Sequence, residues 1–257
     1  MILFEDRLDA AEQLAKRIEE SLDKNVVKTR QESEQRKQRK SNDYDVIILA
    51  IPRGGVVIGD VLSSILGAKL DIIVSKKMGA PSNPELAIGA IMPDGSYFLN
   101  EDIVGMLKVP PSYVTEQVNI QKKEIERRLR IFRGDREGNS GHYSDYNRIE
   151  GKIVIIVDDG IATGATMLSA ARWLKTKQNC CKMLIVAVPI APPSSPPAQS
   201  SSNEDVVSKL NRIADKVIIL YRPEPFYSVG QFYKKFEQVS DAEVREIMRR
   251  HGHVDYV

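Results

Sequence analysis

Residues 154–157 are Val-Ile-Ile-Val, and Asp158, Asp159 and Gly160 end this aliphatic run abruptly. Successive side chains of a strand point to opposite faces, so a continuous apolar run is stable only where both faces are covered, as in a parallel sheet between helices. Past the acids, Ala162, Thr163, Gly164, Ala165 and Thr166 are small, and Met167, Leu168, Ala171 and Leu174 then recur at helical spacing. The segment reads as strand, acidic turn and helix start.

The first amides of a helix have no internal partner and carry the positive end of its dipole, so small residues there leave an open anion cradle. Thr163 and Thr166 add hydroxyl donors. No lysine follows Gly164 as a nucleotide P-loop requires, and no Gly-x-Gly-x-x-Gly occurs, which argues against triphosphate and dinucleotide sites. Carboxylates repel phosphate, so Asp158 and Asp159 beside the cradle make sense if the ligand also carries hydroxyls and a cation, as a sugar phosphate with Mg²⁺ does.

On these residues, 154–166 resembles the PRPP-binding signature of the type I phosphoribosyltransferases: four aliphatics, two acids, two further positions, then small-Thr-Gly-x-Thr. Gly160 stands where an aliphatic residue is usual, which reads as a freer turn. The resemblance implies an α/β fold: a three-layer, mostly parallel β-sheet flanked by helices, with a small hood and a flexible β-hairpin loop. It also implies that Ala162, Thr163, Gly164, Ala165 and Thr166 hold the 5′-phosphate of PRPP, while Asp158 and Asp159 accept from the ribose hydroxyls. Mg²⁺ would meet the two acids mostly through PRPP or water.

With 257 residues, 42% of them hydrophobic and 28% charged, the chain suits one sizeable α/β domain, 1–257, with appendages. A net charge of +2 gives no argument for nucleic acid or an anionic membrane as partner. No run has the length of a membrane span and the N-terminus lacks a signal-peptide pattern, so a cytoplasmic location is expected. Adjacent Cys180 and Cys181 are poorly placed for a disulfide, which fits a reduced compartment.

Taken in order, Leu8, Ala11, Leu14, Ala15, Ile18 and Leu22 make an amphipathic first helix, and 24–45 is a charged insertion. A buried strand over 46–51 runs into Pro52-Arg53-Gly54-Gly55 and a helix from about Val56. In open α/β sheets the carboxyl ends of the strands form the binding crevice, so this loop should face the Asp158 loop. It resembles the family's pyrophosphate loop in its Arg-Gly-Gly form, which implies that Arg53, Gly54 and Gly55 hold pyrophosphate, often with a cis peptide.

A third strand over 70–74 ends at Lys76 and Lys77, candidate clamps for the leaving charge. Residues 78–85 are rich in structure-blocking types, and 88–92 with 97–99 read as a β-hairpin around Asp94-Gly95. In the family a mobile loop of this kind closes over substrate and excludes water. A long charged helix over 112–133 carries Arg127, Arg128, Arg130 and Arg133, within reach of a phosphate but expected first on a solvated face or against a partner copy in a homodimer. Residues 134–151 read as a polar linker.

Later strands are expected over 183–188, broken by Pro189, and over 217–220, with a short helix at Val206, Leu210 and Ile213 between them. Residues 191–204 are a low-complexity insertion, and 222–257 a C-terminal hood or tail. There Phe226, Tyr227 and Tyr233 are candidates to stack on a base. This segment resembles a less-characterised branch of the family, as do the Arg53 loop and the Lys77 to Leu86 stretch.

The resemblance therefore implies a glycosyltransferase of the pentosyltransferase type. It would bind PRPP with Mg²⁺, transfer the phosphoribosyl group to a nitrogenous base or related acceptor, and release pyrophosphate in nucleotide metabolism. Arg53, Lys77, Asp158 and Asp159 are the catalytic candidates. Ala162 occupies the place of an aspartate thought to handle the base proton in the 6-oxopurine enzymes, which argues against that specificity; adenine and uracil enzymes also carry alanine there. A PRPP- or nucleotide-sensing regulator on the same fold is the alternative.

Overall fold

The computed structural model describes residues 1–22, 46–134, 146, 149–176, 181–193 and 205–253. The charged insertion, most of the low-complexity insertion and most of the 134–151 linker lie outside those residues. The strands are β1 (Val46–Ala50), β2 (Lys69–Ile72), β3 (Lys76–Ala80), β4 (Asn83–Ile91), β5 (Tyr97–Leu99), β6 (Ile153–Val157), β7 (Met183–Ile190) and β8 (Lys216–Tyr221). The helices are α1 (Arg7–Ser21), α2 (Gly54–Leu66), α3 (Glu101–Met106), α4 (Pro111–Arg133), α5 (Ala165–Thr176), α6 (Val206–Ile213) and α7 (Asp241–Arg250).

The central sheet is parallel throughout, in the order β2-β1-β6-β7-β8. Its strands alternate between two apolar layers, as a two-faced sheet requires. Ile48, Ala50, Ile155, Val157, Ile185 and Ala187 face a core shared with α1, α2, α4 and α7. Leu49, Val154, Ile156, Val186 and Val188 face the other core, with Trp173 and Leu174 of α5 and Leu210 of α6. Helices on both faces of a parallel sheet make a three-layer α/β fold, as the resemblance implied.

From β1 the chain moves one way across the sheet to β2, and β6 lies on β1's other side. The direction of winding therefore reverses between β1 and β6, and ligands of open α/β sheets bind at such a switch point. The two strands end level: Ala50 pairs with Val157, and the Ile51 amide donates to the Val157 carbonyl at 2.9 Å.

Two strand expectations change. Residues 78–85 are largely strand: β3 and β4 pair antiparallel around a turn at Pro81 and Ser82, with a register shift at Gly79. Glycine is required there, because a Cβ would lie 2.6–3.0 Å from Pro84 backbone atoms. Pro189 does not break β7, which runs on to Ile190. Its amide position faces β8, where the pairing skips residue 189 and resumes with Ile190 opposite Tyr221.

The β3-β4-β5 sheet, α3 and α4 enclose a smaller core of Met78, Ala80, Ile88, Val109 and Val114. Its β4–β5 turn, at Asp94-Gly95, is tied to the main domain: the Trp173 indole donates to Asp94 at 2.8 Å. The β3–β4 turn carries exposed Pro81, Ser82, Asn83 and Pro84.

Arg133, expected on a solvated or subunit-facing surface, is instead buried: its guanidinium donates to Asp71 at 2.8 Å and to the Ile72 carbonyl at 2.9 Å. This charge-assisted pair joins the end of α4 to β2. Among the described residues, no helix is long and apolar enough to cross a membrane.

Candidate functional site

The β1 and β6 loops lie against one another at the switch point. A Cβ on Gly55 would come 2.8 Å from the Val157 carbonyl oxygen and 3.0 Å from the Asp158 Cα, and one on Gly54 would overlap the Asp159 carboxylate. Only glycine lets α2 begin so close to the end of β6. The Pro52-Arg53 peptide is cis, as the loop's resemblance implied.

Past the acids, Gly164 has φ +75°, and a Cβ on it would overlap Val206 of α6. Its backbone conformation and its packing both demand glycine. Ala162, Thr163, Ala165 and Thr166 are exposed around it. Among the described residues, no side-chain hydrogen bond reaches the amides of residues 162–166, so the cradle at the start of α5 is open on its ligand side. Gly160 has a different cause from the freer turn expected of it: a Cβ there would come within 2.5–3.2 Å of the Val229 side chain. The C-terminal segment is pressed onto the β6 loop, and glycine makes room for it.

That segment also fixes the acids. Arg7, at the start of α1, donates through Nε to Asp159 Oδ2 at 2.8 Å and through a terminal nitrogen to the Glu237 carbonyl at 2.9 Å. Its guanidinium lies 3.9 Å over the Phe236 ring. Tyr233 donates its hydroxyl to the Asp159 carbonyl at 2.6 Å. The Asp159 amide donates to Asp158 Oδ1 at 2.8 Å. Burial, then the neighbouring charge of Asp159, pushes the Asp158 carboxyl well above the usual carboxylate range. Burial also raises Asp159, with Arg7 pulling the other way.

The two carboxyls also meet each other side chain to side chain at the mouth of the crevice. Mg²⁺ is commonly held by one or two carboxylates together with substrate phosphates and water. Among the described residues there is no group of three or more His, Cys, Asp or Glu that could cage a metal alone. This donor set fits Mg²⁺ arriving with a phosphorylated ligand.

Arg53 stands at the loop with its guanidinium 3.4 Å from Asp241, the first residue of α7. Lys76 and Lys77 are turned to the smaller sheet and α4: Lys76 lies 3.5 Å from Glu124 of α4, and Lys77 lies 2.7 Å from Glu85 across the hairpin. The structure thus brings together Arg53, Gly54, Gly55, Asp158, Asp159 and the 162–166 loop, with the two lysines paired elsewhere.

The aromatic candidates separate as well. Tyr233 is buried between Phe4 and Phe236, with ring centroids 5.2 and 4.9 Å away. Phe226 packs on Phe232 at 5.6 Å, and Tyr227 is 84% exposed. Tyr233 is therefore a packing anchor that also holds the Asp159 backbone, and Tyr227 alone of the three presents an open ring.

Sequence reading missed Arg7 and Asp241. Arg7 carries no local signal, because its partner is 152 residues away. Asp241 follows Ser240, which with Glu243 forms a capping box ahead of buried Val244, Ile247 and Met248, a pattern that does announce α7.

A parallel sheet that gathers a helix-start loop, two acids and a glycine loop at its switch point defines an open-sheet α/β protein with a crevice at its strand ends. Known proteins make that class specific. The sequence profile of the phosphoribosyl transferase domain matches residues 15–219, and the chain belongs to that family. It is 35% identical over 256 residues to a provisionally named phosphoribosyl transferase of Mycobacterium tuberculosis, found in two strains. That match takes in all of this chain and 48% of the relative, so the chain spans about half the length of the curated relatives it matches. Among solved structures, Thermus thermophilus protein TT1426 is similar throughout, with TM-score 0.68, 28% identity and coverage of 99% of this chain and 100% of that one.

Proposed function

We propose that this chain binds PRPP with Mg²⁺ and transfers its phosphoribosyl group to a nitrogenous base or related acceptor, releasing pyrophosphate. The observation that carries the reading is the contact between Gly54-Gly55 and Asp158-Asp159, which sets a pyrophosphate-type loop beside a sugar-and-phosphate loop. The amides of residues 162–166 receive the 5′-phosphate, and the carboxylates of Asp158 and Asp159 accept from the ribose hydroxyls. Bound Mg²⁺ would supply charge neutralisation for the phosphates.

Arg53 takes the leaving pyrophosphate in exchange for Asp241, an ion pair long and exposed enough to be given up cheaply. Lys76 and Lys77 join it by leaving Glu124 and Glu85. The bond from ribose C1 to the pyrophosphate oxygen breaks with its electron pair on oxygen, the acceptor nitrogen supplies the new pair to C1, and the proton the base gives up passes to water. Positioning and fixed charge supply the rate. Tyr227 is the exposed ring suited to stack on the acceptor.

A non-catalytic sensor of PRPP or of a nucleotide is the second reading, since one fold and one phosphate site serve both roles. The two are separated by incubating the chain with PRPP, Mg²⁺ and a panel of bases and measuring pyrophosphate. Base-dependent release supports transfer. Measurable PRPP binding without release from any base supports the sensor, and no binding overturns both.

A further inference from the structure

Resting on the PRPP reading, we propose that Arg7 is a positioning residue for the sugar-binding acids, and that through it the C-terminal segment takes part in recognising the ribose. Arg7 is itself unsuited to be a ligand group. Its guanidinium is already spent in three directions: on Asp159 at 2.8 Å, on the Glu237 carbonyl at 2.9 Å and on the face of Phe236 at 3.9 Å. Both partners of the ion pair are well covered, Arg7 at 11% and Asp159 at 16% side-chain exposure.

The pair also fixes direction. Arg7 occupies Oδ2 of Asp159, the oxygen pressed against Gly54. Oδ1 is the oxygen that Arg7 leaves uncovered for a hydroxyl. Tyr233 holds the same residue by its carbonyl at 2.6 Å, so side chain and backbone are both anchored by groups outside the β6 loop. An acid held this way meets the sugar without first paying to be ordered, which is how a neighbouring side chain raises ligand affinity without touching the ligand. The planar fork matters here, since lysine would supply the charge without the second bond to Glu237 or the flat contact with Phe236.

The test is hydroxyl discrimination, measured by titration calorimetry with ribose 5-phosphate, 2-deoxyribose 5-phosphate and inorganic phosphate on the full chain, wild type, Arg7→Gln and Arg7→Lys. The wild type is expected to bind ribose 5-phosphate about tenfold or more tightly than the deoxy sugar, a ratio within reach of one charge-assisted hydrogen bond. Arg7→Gln should collapse that ratio to within about twofold while leaving inorganic phosphate affinity unchanged. Arg7→Lys should restore part of the ratio. A structural role alone would lower Tm and leave the ratio of the folded protein as it was, and that result overturns the proposal. Should Arg7→Gln not fold, Phe236→Leu, which frees the guanidinium on one side, must reduce the ratio; an undiminished ratio there also overturns it. A wild type that binds neither sugar phosphate overturns the PRPP reading and this inference with it, whereas a discriminating wild type with an equally discriminating Arg7→Gln overturns only the role of Arg7.

Discussion

Gly55→Ala measures how closely the two ligand loops approach. The added methyl would lie 2.8 Å from the Val157 carbonyl oxygen, 3.0 Å from the Asp158 Cα and 3.2 Å from Asp158 Oδ1. Two of those atoms belong to the backbone at the end of β6, which cannot rotate aside as a flexible side chain would. Overpacking of this kind costs about 1–3 kcal/mol. Alanine is the better helix former by about 0.5–1 kcal/mol, which offsets part of the cost and leaves a net loss of up to about 2.5 kcal/mol. For a domain of this size that corresponds to a fall in Tm of up to about 10 °C. Gly105→Ala is the control. Gly105 lies within α3 with nothing within 4 Å of its would-be Cβ, so only the propensity gain remains and Tm should rise by about 1–4 °C. Scanning calorimetry on both variants decides the matter. A Gly55→Ala protein melting at or above wild type, beside a Gly105→Ala protein that rises, would refute the contact between the start of α2 and the end of β6.

The remaining expectations concern the frame around the site. Arg133→Ala leaves the Asp71 carboxylate buried without its guanidinium and should cost about 3–5 kcal/mol by denaturant unfolding; combining Arg133→Met with Asp71→Leu should recover most of that loss. Glu124, bonded first by Arg127 and also by Arg128, has its carboxyl lowered to about 2 from 4.5. A depressed folded value means stability present above the unfolded value and lost as pH falls, so Glu124→Gln should lower stability at neutral pH, by an amount that solvent screening keeps small, and meet wild type near pH 2, flattening the profile between about pH 4.5 and 2. Tyr233→Phe removes the hydroxyl from the Asp159 carbonyl, and the unmet acceptor should lower stability by about 1–3 kcal/mol in the same unfolding assay.

The parts of the site that were legible in the sequence are those written in consecutive residues. An aliphatic run, two acids and a small-residue loop announce strand, turn and helix start wherever they occur, and residues 153–166 fold that way because each of those signals is local. The Arg53 loop was legible for the same reason. What the sequence concealed depends on distant partners. Nothing near Arg7 or Asp159 tells that they meet, and the lysines at 76 and 77 look like ligand clamps until Glu124 and Glu85 are seen beside them.

Gly79 and Pro84 read as breakers of regular structure. Packed against each other at the register shift of β3 and β4, they belong to the hairpin. Arg133 was the more recoverable error: it follows Leu129 and Phe132 along the same buried stripe of α4, and its spacing pointed inward while its charge suggested solvent. Gly160 shows the same limit, since its cause is Val229 on a segment nearly seventy residues later.

Soaking crystals of the chain with PRPP and Mg²⁺ puts the claim that matters most to trial, because it locates each part of the ligand separately. The ribose phosphate is expected on the amides of residues 162–166, with a sugar hydroxyl on Asp158 or Asp159 and the pyrophosphate against Arg53, Gly54 and Gly55. Density for PRPP elsewhere on the protein, or a cradle left to solvent at saturating ligand, would contradict it.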